Sequence, residues 1–209
     1  MVRDKNYVKV WDILVRIFHW SLVVFFFIAY VTEEESFLHI YSGYIVLALV
    51  LFRIVWGVIG TKYARFSNFI YSPASALGYL KSLVFGKPKH YLGHNPAGGL
   101  MVVALLLSLF VTTYSGLKTY AIEEGKGPLA ANSFSLISNA YADDDDYYGY
   151  RRGKYQDKDE FWEELHEASA NFTLFLIFIH IFAVVVSSKL HNEDLIKPMI
   201  TGKKKIHKE

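Results

Sequence analysis

Residues 165–190, LHEASANFTLFLIFIHIFAVVVSSKL, decide how the rest of the chain is read. No charged side chain occurs from Ala168 to Ser188. That is long enough to cross the hydrocarbon core of a bilayer as a helix, which takes about 20 apolar residues. Two histidines mark the run, His166 at its entrance and His180 deep inside it. An ionisable side chain in such a setting is costly unless it has a partner. The two lie 14 residues apart. At about 100° and 1.5 Å per residue, that spacing returns to nearly the same helix face about 21 Å further along. One face of one span therefore presents an imidazole at each of two depths.

The composition agrees with a membrane setting. The chain has 209 residues, 53% hydrophobic and 17% aromatic, with a mean hydropathy of +0.22. This is too apolar for an ordinary soluble domain and suits a small polytopic membrane protein built as one domain over residues 1–209. Cysteine is absent. Disulfides, thiolate zinc sites, iron–sulfur clusters and covalent c-type haem attachment to this chain are thereby excluded. A metal would have to be held by His, carboxylate or Met. No cleavable signal pattern precedes the first apolar run, which reads as a retained helix. No nucleic-acid partner is expected.

Working outward, three more spans appear. The first covers about 12–32 and contains FHWSLVVFFFIAYV, with Trp11 and Arg16 near its start, His19 inside, and Glu33, Glu34 and Glu35 after it. The second covers about 37–60, with His39 near its start and Arg53 late. The third, 98–117, follows HYLGHNPAGG and has no internal histidine. The fourth is 166–188. Between the second and third lies a basic connection, residues 61–97, carrying Lys62, Arg65, Lys81, Lys87 and Lys89. Within it Ser72-Pro73 reads as a helix cap followed by proline at the first helical position. Ala74, Leu77, Leu80 and Val84 recur at helical spacing behind it, so 73–85 is expected as a helix lying on the membrane surface, ended by Gly86 and Pro88. Residues 118–164 are expected as the one long loop, acidic overall, with a run from Asp143 to Asp146.

Charge orients the chain. The N-terminus, the 61–97 connection and the tail with Lys203, Lys204 and Lys205 are basic, whereas the 33–35 turn and the 118–164 loop are acidic. With four spans all the basic segments fall on one side, which the positive-inside rule makes cytoplasmic, together with both termini.

That topology sorts four of the eight histidines. His19 lies toward the cytoplasmic side and so does His180; His39 and His166 lie toward the outer side. Haem iron takes axial imidazoles from both faces of the porphyrin, and helix bundles hold such cofactors in their cores. Two levels with two imidazoles each fit a relay of two haems b. A site for a divalent metal is the poorer reading, because four histidines at two levels about 20 Å apart make poor single-metal geometry. His90, His94, His191 and His207 stand outside the pattern and are expected to be solvated, with His94 singled out by its place at a helix entrance. Arg53, 14 residues after His39, and Arg16, one turn before His19, are expected to face the carboxylates of the inner haem or lipid phosphate. Gly43 and Gly57, each four residues after His39 and Arg53, would let a flat macrocycle or a neighbouring helix approach.

The chain resembles the bacterial cytochrome b-561 family of di-haem membrane cytochromes and, more broadly, the b-type cytochrome subunits of nickel–iron hydrogenases. FHW at 18–20, LHIYSGY at 38–44, LGHNPAGG at 92–99 and LHEASANFTLFLIFIH at 165–180 carry the likeness. It spans nearly the whole chain, and the His166–His180 spacing is its most specific part. The resemblance implies an all-α integral membrane protein of the bacterial inner membrane, a bundle of four transmembrane helices holding two haems b. It implies bis-histidine ligation by His19 with His180 and by His39 with His166. The 118–164 loop with its Asp run departs from the short loops of the smallest members, whereas LGHNPAGG brings the chain nearer to members that work beside other redox subunits.

The expected function is transmembrane electron transfer between the quinone pool, ubiquinone or menaquinone, and a periplasmic c-type cytochrome or other membrane redox partner. An electron-carrier subunit is expected rather than a stand-alone enzyme, and no residue is assigned as catalytic. The alternative is a superoxide:quinone oxidoreductase acting at the outer haem. Lys118, Lys126, Arg151, Arg152 and Lys154 would have to supply its cationic funnel, within a loop of net acidic character.

Overall fold

Local capping chemistry starts four of the helices. The computed structural model describes residues 7–32, 36–86, 89–130 and 145–205. Helix α1 is Ile13–Val31, and the Asp12 carboxylate accepts the Val15 N–H at 2.9 Å. Helix α2 is Phe37–Ile59, where the Ser36 hydroxyl accepts from Leu38 N–H. Helix α3, Pro73–Phe85, has the expected Ser72 cap and leading proline. Helix α4, Pro96–Glu123, opens on Asn95, whose side chain accepts from Gly98 N–H at 2.7 Å. Such side-chain acceptors satisfy amides that the first helical turn leaves unbonded. Helix α5 runs from Asp145 to Leu190, 46 residues, and α6 is the short Lys197–Thr201.

Four segments are long and apolar enough to cross a bilayer: Ile13–Val31, Phe37–Ile59, Pro96–Glu123 and Glu160–Leu190. The chain is a multi-pass helical membrane bundle. Its core is a cluster of Phe18 and Phe26 from α1, Val46 and Val50 from α2, and Leu106 and Leu109 from α4, reached from α5 by Leu174 and Ile177. Helix α5 packs closely along α4, α1 along α2, and α2 against α4, whereas α5 has little close backbone contact with α1 or α2. Small hydroxyl side chains explain the α4–α5 closeness. Ser108 and Thr173 hydrogen-bond hydroxyl to hydroxyl at 2.6 Å, and Thr173 is fully buried. Small and hydroxyl-bearing residues let transmembrane helices approach and bond across the seam.

Two findings depart from the expectations. The chain is not purely helical: β1, Tyr7–Lys9, pairs antiparallel with β2, Lys203–Lys205, in register Val8 to Lys204. This ribbon ties the two ends of the chain together. Its strands are too short for any alternation of residue types to show. The second concerns 118–164, expected as a loop. Helix α4 continues to Glu123, and α5 begins at Asp145, well before its apolar run. Hydropathy marks where a bilayer could begin, but a helix ends only where capping or chain geometry stops it. The expectations for Glu33–Glu35, Lys87, Pro88, Asp143, Asp144 and His207 lie outside the described residues, as do those for the side chains of Asp145, Asp146, Arg151, Arg152 and Lys154.

Candidate functional site

The arrangement is built on α5, a continuous helix that carries both His166 and His180. At the level expected to be the outer one, His166 meets His39 of α2, their ring centres 5.8 Å apart and their planes at 76°. Each ring is anchored from behind. His39 Nδ1 hydrogen-bonds the Ala29 carbonyl oxygen of α1 at 2.8 Å. His166 Nδ1 hydrogen-bonds the Thr112 carbonyl oxygen of α4, also at 2.8 Å. A carbonyl only accepts, so both Nδ1 atoms carry a proton, and in the neutral imidazole this leaves the lone pair on Nε2. This is the tautomer that metal-binding imidazoles use, with the far ring nitrogen held by a hydrogen bond to an acceptor. Two imidazoles sharing one metal, each nitrogen about 2 Å from it, hold their ring centres roughly 6 Å apart.

The glycines around this pair have separate jobs. A Cβ on Gly43, one turn beyond His39, would meet nothing within 4 Å. A Cβ on Gly116 of α4 would stand 2.7 Å from His166 Cε1, so this glycine makes room for the imidazole. Sequence reasoning passed over Gly116; a glycine inside an otherwise bulky apolar span was the available signal. Gly57 serves packing instead, because a Cβ there would stand 2.1 Å from the Phe66 ring.

At the level expected to be the inner one, His19 of α1 and His180 of α5 lie within electrostatic range of one another. His19 Nδ1 is buried and has no hydrogen-bond partner among the described residues. Arg53, 3% exposed, donates Nη2 to the Ala64 carbonyl at 3.0 Å, and its guanidinium lies over Phe66 and Phe69. Arg16 donates to the Ile200 carbonyl of α6. Arg53 Nη1 and Arg16 Nε remain buried without partners among the described residues. Arg53 is thus buried within the fold rather than extended away from it. Asp12 sits beneath them, accepting from Trp56 Nε1 and Thr61 Oγ1 as well as capping α1. Burial raises its carboxyl, but the hydrogen bonds from Thr61, Val15, Trp56 and Leu14 outweigh burial and hold it below the usual carboxylate range.

His90, His94 and His191 are not simply solvated. His90 pairs with Glu193, which also bridges Lys204 at 2.9 Å. His191 hydrogen-bonds Tyr79 of α3, which in turn accepts from Asn95 at the start of α4. His94 is wedged between Trp11 and Phe69, with ring centres 4.6 and 4.5 Å away. Burial, then the nearby charges of Arg53 and His180, push its pKa down to about 3. The polar look of HYLGHNPAGG concealed that the loop folds back into the bundle.

These features fit haem b. Two imidazoles, from α2 and α5, meet at one level, and His19, Arg16 and Arg53 keep buried nitrogen atoms without partners among the described residues. Among the described residues no group of three or more His, Cys, Asp or Glu could hold a metal ion, so the donors do not form a polydentate cage. A helical membrane bundle of this kind has the build of a membrane haem protein. The family profile of prokaryotic cytochrome b561 matches residues 10–202, and the chain belongs to that family. It is a b-type cytochrome of transmembrane electron transport, and the family implies haem b. The chain is similar to a protein of Rhodobacter capsulatus named as a probable Ni/Fe-hydrogenase B-type cytochrome subunit, with 24% identity across 96% of this chain and 82% of that protein. Proteins of the same name from Azotobacter chroococcum mcd 1 and Azotobacter vinelandii are each 22% identical, across 96% of this chain and 90% of theirs. No solved structure gives a significant match.

Proposed function

We propose that this chain carries electrons across a bacterial inner membrane through two bis-histidine haems b, as the membrane cytochrome of a larger respiratory assembly. The observation that carries this reading is the outer pair, His39 and His166, with ring centres 5.8 Å apart and both Nδ1 protons committed to backbone carbonyls. His19 and His180 would hold the inner haem. When bound, haem with two imidazole ligands supplies one-electron chemistry and leaves no open iron position for oxygen or substrate. The residues do the rest. Ala29 and Thr112 orient the outer imidazoles, Gly116 clears space behind His166, and the rigid α5 holds the two levels about 21 Å apart along its axis.

Charge supports placing both termini in the cytoplasm, since the basic 61–97 connection and the basic tail share one side. The relatives' names support a redox subunit as partner, with a quinone as the other. A periplasmic c-type cytochrome remains a further partner, docked on the acidic 118–164 stretch. The deciding measurement is a reduced-minus-oxidised spectrum with haem quantification on purified full-length protein. Two b-type haems per chain are expected; a folded, colourless chain would overturn the reading.

A further inference from the structure

Two of the buried nitrogen atoms that have no hydrogen-bond partner among the described residues, His94 Nδ1 and Arg53 Nη1, belong to side chains that share one aromatic neighbour, Phe69. His94 Nδ1 is buried without a hydrogen-bond partner among the described residues. Its ring is held by Trp11 and Phe69, which fixes where it points without offering an acceptor. Arg53 Nη1 is likewise unpartnered, while its guanidinium lies 5.8 Å from the same Phe69 ring and 5.0 Å from Phe66. Among the described residues no carboxylate forms an ion pair with Arg53. Asp12, whose field reaches it, already accepts from Val15, Trp56 and Thr61. A buried guanidinium lacking an anion is costly, and a buried imidazole lacking an acceptor adds to that cost.

The cluster is held in place deliberately. Gly99 of α4 lets the Phe69 backbone approach: a Cβ there would stand 2.1 Å from the Phe69 carbonyl oxygen. Gly57 of α2 does the same for the Phe66 ring. The turn at 66–69 is thereby pressed between α2 and α4 and drives its two rings toward Arg53 and His94. His94 also lies within electrostatic range of His180, one of the two histidines read as holding the inner haem.

We propose that His94 binds a carboxylate edge of the inner haem, donating a hydrogen bond to a propionate that Arg53 neutralises. This rests on the two-haem reading above. The neutral imidazole supplies one N–H, the guanidinium supplies the charge, and the Trp11–Phe69 sandwich positions the first.

The test uses the full chain in detergent or nanodiscs, with haem quantification and an optical redox titration. The inner haem is identified as the one missing from His19→Ala. His94→Phe keeps the ring packing and removes the donor. It is expected to lower the inner haem's midpoint potential or its occupancy, because an uncompensated propionate charge favours the ferric iron. The outer haem should be unchanged, and His94→Gln, which keeps a donor, should recover the inner haem. His94→Phe protein with both haems at wild-type potentials would overturn the proposal. Equal loss of both haems would overturn it too, since that marks a folding role. A wild-type chain without two b haems would instead overturn the underlying reading, and is seen before any variant is made.

Discussion

His39 and His166 approach to 5.8 Å between ring centres although 127 positions separate them, and each is steadied by a carbonyl from a third or fourth helix, Ala29 of α1 and Thr112 of α4. All four spans therefore contribute to one pair of imidazoles, two through side chains and two through backbone oxygens. That division of labour makes separate demands on separate residues.

Each level should lose its cofactor independently. His180→Ala is expected to remove one of the two b haems and spare the other, read by haem content and by loss of half the α-band absorbance. Retention of both would break the inner pair of His19 with His180.

The spacing on α5 should be unforgiving. Inserting one residue between His166 and His180 rotates one imidazole relative to the other by about 100°. A chain with one haem instead of two is the expected product; two haems at normal potentials would show that the helix can absorb the extra residue.

Gly116 should behave as part of the outer site although it carries no side chain. In Gly116→Ala the new methyl group falls 2.7 Å from His166 Cε1. Overpacking of this kind costs about 1–3 kcal/mol. Outer-haem occupancy should fall while the inner haem stays, and equal occupancy with wild type would show that the imidazole has room to retreat.

The α4–α5 seam should respond weakly to loss of a single hydroxyl. Thr173→Val removes the bond to Ser108, at 2.6 Å. Cross-helix hydrogen bonds in membranes average about 0.6 kcal/mol. A small drop in thermal stability with both haems retained is expected; haem loss would assign Thr173 a larger role.

Acid should release the C-terminal tail before it unfolds the bundle. Burial raises the Glu193 carboxyl, but hydrogen bonds and charge from Lys204 and His90 hold it below its ordinary 4.5. The native state thus favours the carboxylate. Its stabilising contribution is fully present above pH 4.5 and is lost as pH falls through the lowered native value. Hydrogen exchange at 203–205 should quicken over that range. Glu193→Gln should show fast exchange already at neutral pH, because Lys204 is then buried without its counter-charge.

The sequence by itself determined the four membrane helices. An apolar run of this length has no stable fate in water, and in a bilayer a helix satisfies every backbone group within the segment. The caps at Asp12, Ser36, Ser72 and Asn95 were local too, since a cap bonds an amide two or three residues away. The 14-residue spacing of His166 and His180 put both on one face before any neighbour was known, because the period of an α-helix is intrinsic. Tertiary structure alone decided the rest. Which carbonyls anchor His39 and His166, that Gly116 stands behind His166, that His94 turns inward between Trp11 and Phe69, and that the chain ends meet in a β-ribbon all depend on contacts between residues far apart in the chain. No local pattern encodes them: the same glycine or histidine could face lipid, water or a neighbouring helix, and only the packing of α1, α2, α4 and α5 selects which.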